Sequence, residues 1–295
     1  MQNNSYVLIS ACRNESAYVE KLIDAIAAQK VRPLRWVIVD DGSTDDTYER
    51  AIARSAQFPF IEVAKMPGGR ARSFSSQVYA AMYGSERVKD LPYGFLGFLD
   101  ADILVEPDYY ERLLGLMASD PQLGICGGAV IDQFKDRVVD TRKGSEDYHV
   151  AGGVQFFRRQ CFEQIGGHHP IQGGGQDTIA DIMAMMHGWK IRVFPELPAL
   201  HLRPDGFAND SVIKRGRNWG RKFYLIGYHP LYYCAQCVRR IGQRPFLVAS
   251  FCQLIGFIMA NLKGESRPVS PEFVQFLRNL QMQRLKKACF GRQKA

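Results

Sequence analysis

Two aspartates one residue apart, Asp100 and Asp102, carry the most informative chemistry in this sequence. They follow the apolar run 93–99, which Pro92 bounds and which predicts a buried strand. In open α/β sheets, ligands bind beyond the carboxyl ends of such strands. Alternate residues of an extended chain project to one side, so both carboxylates could face the same ligand.

Two carboxylates this close repel each other, and one keeps its proton unless a cation neutralises the pair. A hard divalent cation, Mg²⁺ or Mn²⁺, binds oxygen ligands and carries substrate phosphates, so it meets that need. The alternative is a solvated turn, because acids are common where strands end. The pair alone leaves both interpretations open.

Two further motifs favour the first interpretation. Residues 35–39 form a second predicted buried strand, which leads into Asp40-Asp41-Gly42-Ser43 and a helix start. Three glycines precede Gln176-Asp177, which opens another predicted helix. With these motifs in this order, residues 5–205 resemble the family 2 glycosyltransferases. The resemblance implies the α/β class and a GT-A fold, with a Rossmann-like central mixed sheet flanked by helices. It also implies a nucleotide-sugar donor and inversion of the sugar's configuration.

The resemblance implies three central roles. Asp177 is the expected general base, Asp102 a metal ligand, and His201, beyond the last core strand, completes the metal shell. A carboxylate at a helix N-terminus is stabilised as the anion, which suits a base but lowers its strength. The departure from the family is Gln176, where Glu is usual, which removes one polar contact to the acceptor. The alternatives are that Asp177 only caps its helix and that His201 is structural.

The resemblance also implies donor contacts at the strand ends and in the loops that follow them. These implied contacts are Ala11, Arg13, Glu15, Asp40, Asp41, Asp100, Ala101 and Gly153. The two acids of the second motif are expected on the nucleoside, with Asp41 on the base. A small residue such as Gly153 lets the backbone approach a ligand closely. Because the first loop lacks G-x-G-x-x-G, a dinucleotide-binding fold is disfavoured.

Basic residues supply the remaining expected donor contacts. Arg70 and Arg72 stand beside glycines at a predicted helix start, which is a favourable anion site. Arg217 lies in the cation-rich stretch 214–222 and could clamp the leaving diphosphate. The alternatives are solvated arginines at the first site and a membrane-facing basic patch at the second.

The length, composition and net charge of the chain limit its possible domain organisation and partners. The 295 residues, 46% of them hydrophobic, suffice for a GT-A domain over 1–222 and a helical extension over 223–295. The formal charge of +8 indicates anionic partners: phosphates, an acidic membrane surface or nucleic acid. Seven widely spaced cysteines argue against a disulfide scaffold. Because residues 1–5 show no basic segment before an apolar core, we expect no secretory signal and a cytoplasmic location.

The extension contains the apolar stretch 246–262, which is short and interrupted by polar residues. Flanking arginine and lysine favour an interfacial helix on the inner face of the cell membrane over a membrane span. A helix buried in a homodimer is the other alternative. Processive family members carry Gln-x-x-Arg-Trp near residue 219, whereas this chain has Asn218 before Trp219. The sequence therefore predicts a non-processive enzyme.

These observations predict a metal-dependent, inverting glycosyltransferase of hexosyltransferase type. Its donor would be a UDP-, GDP- or dTDP-sugar, and its acceptor a glycan or lipid-linked precursor in polysaccharide synthesis. One rival is a sugar nucleotidyltransferase, which also needs paired acids and a metal but releases pyrophosphate. The other is a non-catalytic nucleic-acid-binding protein, which is disfavoured because the acids cluster where phosphates would sit.

Overall fold

The computed structural model describes residues 4–67, 74–134, 137–140, 149–171, 173–203, 211–239 and 246–290. The chain divides into two compact units, one of residues 1–170 with 176–207 and one of residues 171–175 with 208–295. The sequence placed the domain boundary at residue 222. The observed division falls earlier because residues 212–226 form one uninterrupted helix, which belongs to the second unit.

The first unit is built on one mixed sheet. Its strands are β1 (Tyr6–Cys12), β2 (Arg35–Asp40), β3 (Ile61–Lys65), β4 (Phe95–Phe98), β5 (Ile103–Val105), β6 (Leu123–Phe134), β7 (Arg137–Asp140), β8 (Phe156–Arg158) and β9 (Lys190–His201). The strand order is β3-β2-β1-β4-β8-β6-β9-β5, and β7 pairs with β6. The first four strands are mutually parallel, and β8 runs antiparallel to both of its neighbours.

Helices connect these strands. They are α1 (Val19–Ala27), α2 (Thr47–Ser55), α3 (Phe74–Glu86), α4 (Tyr109–Ser119), α5 (Arg159–Gln164), α6 (Gln176–Met186) and the short 3₁₀ helix Gly152–Val154. The helix α1 is amphipathic, because its apolar side chains recur at helical spacing and are buried. Strands β1 and β2 are nearly continuous apolar runs, as expected for parallel strands covered on both faces.

The parallel arrangement brings the polar ends of β1 and β2 together. Cys12 and Asp40 are partners in the register of these two strands. The backbone N–H of Asp41 donates to the carbonyl oxygen of Cys12 at 2.8 Å. The acids that follow β2 therefore lie beside the loop that follows β1.

Strand β9 continues beyond its apolar sequence pattern. Its apolar pattern ends near Val193, and prolines at 195 and 198 oppose a strand because they lack a backbone N–H. The structure keeps β9 paired with β6 by a register shift, in which Gly128 pairs with Phe194 but Ala129 pairs with Pro198. His201 is consequently the last residue of a core strand rather than a residue beyond it.

The second unit is helical. Its helices are α7 (Val212–Ile226), α8 (Pro230–Arg239), α9 (Phe246–Leu262) and α10 (Pro271–Phe290). The Ser211 hydroxyl caps α7 by accepting from the Lys214 N–H, and Gly227, with φ of +96°, ends it. Glycines let α7 and α9 approach closely, since a Cβ atom at Gly220 would lie 1.9 Å from the carbonyl oxygen of Gln253. In the parts of the chain that the structure describes, no helix has the length and apolar character needed to cross a membrane.

Candidate active site

The loops after β1 and β2 form the first half of the site. The two carboxylate oxygens of Asp40 each lie 3.3 Å from the backbone nitrogen of Ser43 and accept from it. Asp41 is buried, and its Oδ2 lies 3.6 Å from Nη1 of Arg13. Ala11, the penultimate residue of β1, is half-buried at the same edge. The structure thus brings together four of the residues that the sequence predicted as donor contacts.

Both the backbone and the side chain of Glu15 are held by hydrogen bonds. Its backbone N–H donates to Thr47 Oγ1 at 2.8 Å, and its side-chain Oε1 lies 2.5 Å from Nη2 of Arg203. The preceding residue, Asn14, adopts a positive φ of 58°, and its Oδ1 accepts from the Thr44 N–H at 2.8 Å. These bonds tie the loop after β1 to the loop after β2.

The Asp100 and Asp102 pair is placed differently from the sequence expectation. Strand β4 ends at Phe98, so both acids lie in the turn before β5 and not on an extended chain. The assumption that alternation directs both carboxylates to one side is therefore wrong, because a turn does not preserve the two-residue period. Ala101, between them, is buried.

Asp100 contacts the segment around Gly153, which is another expected donor contact. Its Oδ1 accepts from Nε2 of Gln77 at 2.9 Å, and its backbone N–H donates to the carbonyl oxygen of Gly153 at 3.0 Å. A Cβ atom at Gly153 would lie 2.5 Å from Asp100 Oδ2. Only glycine allows the backbone to approach this carboxylate so closely.

Asp102 has different partners. Its side chain is only 9% exposed and lies 3.4 Å from His201 Nε2, while Arg203 donates to it from Nε at 3.1 Å and from Nη2 at 2.8 Å. Burial alone would raise the pKa of Asp102. The contacts with His201 and Arg203 outweigh burial, so its pKa is held below the usual value.

His201 is oriented by a carboxylate on the neighbouring strand. Its Nδ1 lies 2.8 Å from Oδ1 of Asp132 in β6, and this contact keeps Nε2 directed towards Asp102. A histidine held by a second carboxylate in this way is typical of metal ligands. Among the described residues, no three His, Cys, Asp or Glu side chains form a metal cage. Mg²⁺ is usually held by one or two carboxylates together with substrate phosphates, so Asp102 is the member of this pair best suited to such a cation.

Asp177 lies in the first turn of α6, as the sequence predicted. Its Oδ1 accepts from the Thr178 N–H at 2.7 Å, and 21% of its side chain is exposed. A Cβ atom at Gly152 would lie 3.4 Å from Asp177 Cβ. The consecutive glycines 152 and 153 therefore contact Asp177 and Asp100 respectively, which brings the predicted base and a predicted donor acid to one short segment.

A buried carboxylate stands one turn beyond Asp177. Asp181 is fully buried and accepts three hydrogen bonds, from the Val150 N–H at 3.1 Å, from Gln155 Nε2 at 3.1 Å and from His149 Nδ1 at 3.0 Å. The other nitrogen of His149, Nε2, lies 3.6 Å from Asp177 Oδ2. Burial raises the pKa of Asp181 to about 6, although the contact with His149 offsets part of that rise.

The network continues to a second histidine. His168 is buried against Phe98, with ring centroids 4.4 Å apart, and its Nε2 lies 2.8 Å from Oε1 of Gln155. Burial lowers the pKa of His168 to about 4, so its ring is neutral near pH 7 and donates to the amide.

Sequence reasoning missed several of these residues. Arg203 had a signal, because it is a cation two residues after His201. Asp181 also had one, since residues four apart share a helix face and Asp181 follows Asp177 at that spacing. His149 and Asp132 had none, because they lie at the ends of a polar stretch without a clear period.

Arg70, Arg72 and Arg217 are the remaining predicted donor contacts. Arg70 and Arg72 lie outside the described residues. Arg217 belongs to the second unit, where it is exposed on α7 and its Nη2 lies 3.1 Å from the sulfur of Met259.

Comparison with known proteins supports an enzymatic interpretation. The sequence model of the family described as Glycosyl transferase family 2 matches residues 7–174. An N-acetylglucosaminyltransferase from Azorhizobium caulinodans is 22% identical over 248 residues, which cover 74% of this chain and 59% of that protein. The chain thus matches less than two thirds of that relative's length.

Two solved structures share the fold. A mannosyltransferase from Pyrobaculum calidifontis, in complex with GDP-Man and Mn²⁺, has a TM-score of 0.57 at 17% identity, over 98% of this chain and 88% of that one. Residues 1–349 of Staphylococcus aureus TarS, in complex with UDP-GlcNAc, give a TM-score of 0.56 at 13% identity, over 96% and 81%. This likeness confirms the predicted GT-A fold.

Proposed function

Because the chain belongs to glycosyl transferase family 2, we propose that it transfers N-acetylglucosamine from UDP-N-acetylglucosamine to a hydroxyl group of a glycan or lipid-linked acceptor. The observation that carries this proposal is the position of Asp177 and Asp100 against the consecutive glycines 152 and 153. The identity of the sugar is supported by the named activity of one relative and by the ligand of one structural neighbour. We further propose inversion of the anomeric configuration and a non-processive reaction.

Asp177 acts as the general base in this proposal. The Thr178 N–H holds Oδ1, so the carboxylate keeps a fixed orientation at the start of α6. Part of the Asp177 side chain is exposed, so an acceptor hydroxyl can approach it within hydrogen-bond distance. As the hydroxyl oxygen attacks the anomeric carbon, its proton passes to the carboxylate. The nucleoside diphosphate leaves from the opposite face of the sugar.

The donor would lie along the carboxyl edge of the sheet. Asp41 and Asp40 would accept hydrogen bonds from the nucleoside, with Arg13 holding Asp41 in place. Asp100 and the Gly153 backbone would contact the sugar. Arg70, Arg72 and Arg217 stay predicted contacts of the diphosphate.

Asp102 and His201 would hold a divalent cation. The supporting geometry is the 3.4 Å separation of Asp102 Oδ2 and His201 Nε2, with the ring fixed by Asp132. When bound, Mg²⁺ or Mn²⁺ would neutralise charge on the leaving diphosphate. A Mn²⁺ ion in one structural neighbour supports this assignment.

The second unit would contact an anionic membrane at the inner face of the cell membrane. The helix α9 carries exposed apolar side chains at positions 248, 251, 258 and 262, which share one helix face. Exposed cations on α7, Lys214 and Arg217, would interact with acidic lipid headgroups. Residues 223–295 together with α7 thus serve as a membrane-surface extension of the GT-A domain, and a homodimer interface is the competing role.

Release of UDP from UDP-N-acetylglucosamine, measured with Mn²⁺ and with GDP-mannose as the rival donor, tests this function. Water serves as acceptor, and a chitooligosaccharide is added in a second series. The variant Asp177→Asn should keep UDP affinity but lose turnover by about 10² to 10⁴, as base removal does. The matched control is Asp108→Asn, an acid at the start of α4. If the wild type turned over GDP-mannose but not UDP-N-acetylglucosamine, the donor assignment would be wrong. If Asp177→Asn kept normal turnover, the assignment of Asp177 as the base would be wrong.

A further inference from the structure

The imidazole of His149 stands between two carboxylates of one helix. Its Nδ1 lies 3.0 Å from Asp181 Oδ2, and its Nε2 lies 3.6 Å from Asp177 Oδ2. The two aspartates are four residues apart on α6, so they face the same side of that helix. The ring therefore connects the proposed base to a carboxylate in the protein interior.

The surroundings of Asp181 fix the protonation of the ring. Asp181 accepts from a backbone N–H and from Gln155, so every described partner of this carboxylate is a donor. In the neutral ring, Nδ1 must therefore carry the hydrogen that bonds to Asp181. The lone pair of the neutral ring is then on Nε2, the nitrogen that faces Asp177.

We propose that Asp181 and His149 form a proton-accepting pair behind Asp177, an inference that rests on the proposed role of Asp177 as base. In the first step, the O–H bond of the acceptor breaks and Asp177 receives the proton. In the second step, that proton moves from Asp177 to Nε2 of His149, which gives an imidazolium and regenerates the Asp177 carboxylate. The Nδ1–H stays with His149 throughout, and Asp181 stays ionised and stabilises the imidazolium.

The pair of Asp181 and His149 compensates for the low proton affinity of Asp177. An ordinary aspartate has a pKa near 3.9 and an imidazole near 6.5, so the proton is held more firmly on His149 than on Asp177. A helix N-terminus weakens Asp177 further as a base. His149 is 26% exposed whereas Asp181 is fully buried, so His149 is the member that can return the proton to water.

The neighbouring titratable groups do not replace His149 in this role. Burial, with a smaller contribution from the charge of Asp181, raises the pKa of Cys161 to about 12, so Cys161 stays a neutral thiol. His168 interacts with Asp177 and with His169, yet burial keeps it neutral at pH 7. Among the described groups with these interactions, His149 alone has one ring nitrogen on Asp181 and the other facing Asp177.

The pH dependence of UDP release from UDP-N-acetylglucosamine tests the pair. Activity requires neutral His149, so the wild type should lose kcat as the pH falls through the titration of the cluster. His149→Ala and His149→Gln should lower kcat on the order of 10-fold, below the 10² to 10⁴ of base removal. They should also move the acid limb of the profile towards the pKa of an isolated aspartate, near 4. KM for the donor should not change, and His187→Ala, an exposed histidine at the end of α6, should match the wild type.

Two further measurements separate this inference from the proposed function. Added imidazole should restore part of the kcat of His149→Ala, because it can occupy the emptied space and accept the proton. In nitrogen-15 spectra of the protein without substrate, His149 should titrate at a lower pH in Asp177→Asn than in wild type, since a nearby carboxylate is removed.

The outcomes are distinct. If Asp177→Asn is inactive but the His149 variants keep the wild-type acid limb, the pair is refuted and the base stands. If Asp177→Asn is fully active, the proposed base fails first. An unchanged His149 titration in Asp177→Asn refutes the coupling whatever the activity.

Discussion

The glycine at position 153 offers the most direct test of how the proposed sugar subsite is built. In Gly153→Ala, the new methyl group would lie 2.5 Å from Asp100 Oδ2 and 2.8 Å from Ile103 Cδ1. Asp100 cannot rotate away freely, because Gln77 holds its Oδ1 and its own N–H bonds to the Gly153 carbonyl. The carboxylate or the 3₁₀ segment must shift, at the cost of about 1–3 kcal/mol that overpacking brings.

We expect this shift to appear in donor affinity. Loss of one hydrogen bond to a charged group costs about 1.5–3 kcal/mol, and about 1.4 kcal/mol corresponds to a tenfold change in Kd. The Kd for UDP-N-acetylglucosamine with Mn²⁺ should therefore rise by about tenfold to one hundredfold, measured by calorimetry. UDP alone should bind normally, because the proposed nucleoside contacts lie on the loops after β1 and β2.

The adjacent glycine provides the control. A methyl group in Gly152→Ala would meet Asp177 Cβ at 3.4 Å and Oδ2 at 3.6 Å, which are ordinary contacts. Neither glycine has a positive φ, so backbone strain does not distinguish the two substitutions. Equal donor affinities for the two variants would refute the argument that a side chain at position 153 weakens donor binding by displacing Asp100.

Three further predictions address other parts of the molecule. Asp102→Ala should abolish only the Mn²⁺-dependent part of UDP binding, whereas Asp41→Ala should weaken binding with and without Mn²⁺; calorimetry showing the same loss for both would contradict this division. His168 has a folded pKa of about 4 against 6.5 in the unfolded chain, so the unfolded state binds more protons between these values. The free energy of unfolding of the wild type should therefore fall by about 3 kcal/mol, through this residue, between pH 7 and pH 4. Urea unfolding of His168→Gln should lack this contribution, and an equal pH-dependent loss in the variant would contradict the assignment. Phe251→Asp should reduce binding to phosphatidylglycerol vesicles while Leu34→Asp, an exposed apolar residue of the first unit, should not; a stable dimer that ignores vesicles would rule out the membrane contact.

Local patterns in the sequence predicted the elements that position the site. Apolar runs predicted β2 and β4, because buried parallel strands leave little room for polar residues. The glycines before Gln176 and the acid after it predicted the start of α6. Both signals depend on neighbours in the chain, so they are visible without a structure.

The partners of the site residues were not visible in this way. Asp132 meets His201 only because β6 and β9 pair with a register shift at Gly128, and no local pattern encodes that shift. His149 follows a polar stretch without a period, so its position between two carboxylates depends on the packing of α6. Pairing between distant strands and packing between distant elements are set by the whole fold.

Arg203 shows how such a distant residue joins parts of the site that the sequence presents separately. It lies two residues beyond β9, and its Nη2 contacts Glu15 of the loop after β1 as well as Asp102 of the turn after β4. Two buried carboxylates brought together would otherwise repel, and the guanidinium compensates both because it presents several donors in one plane. A shift of the Asp102 turn therefore acts on Glu15 through a single side chain. Arg203 thus links the loop proposed for the nucleoside to the acid proposed for the metal, so we expect a change in one to alter the other although Glu15 and Asp102 lie 87 positions apart in the chain.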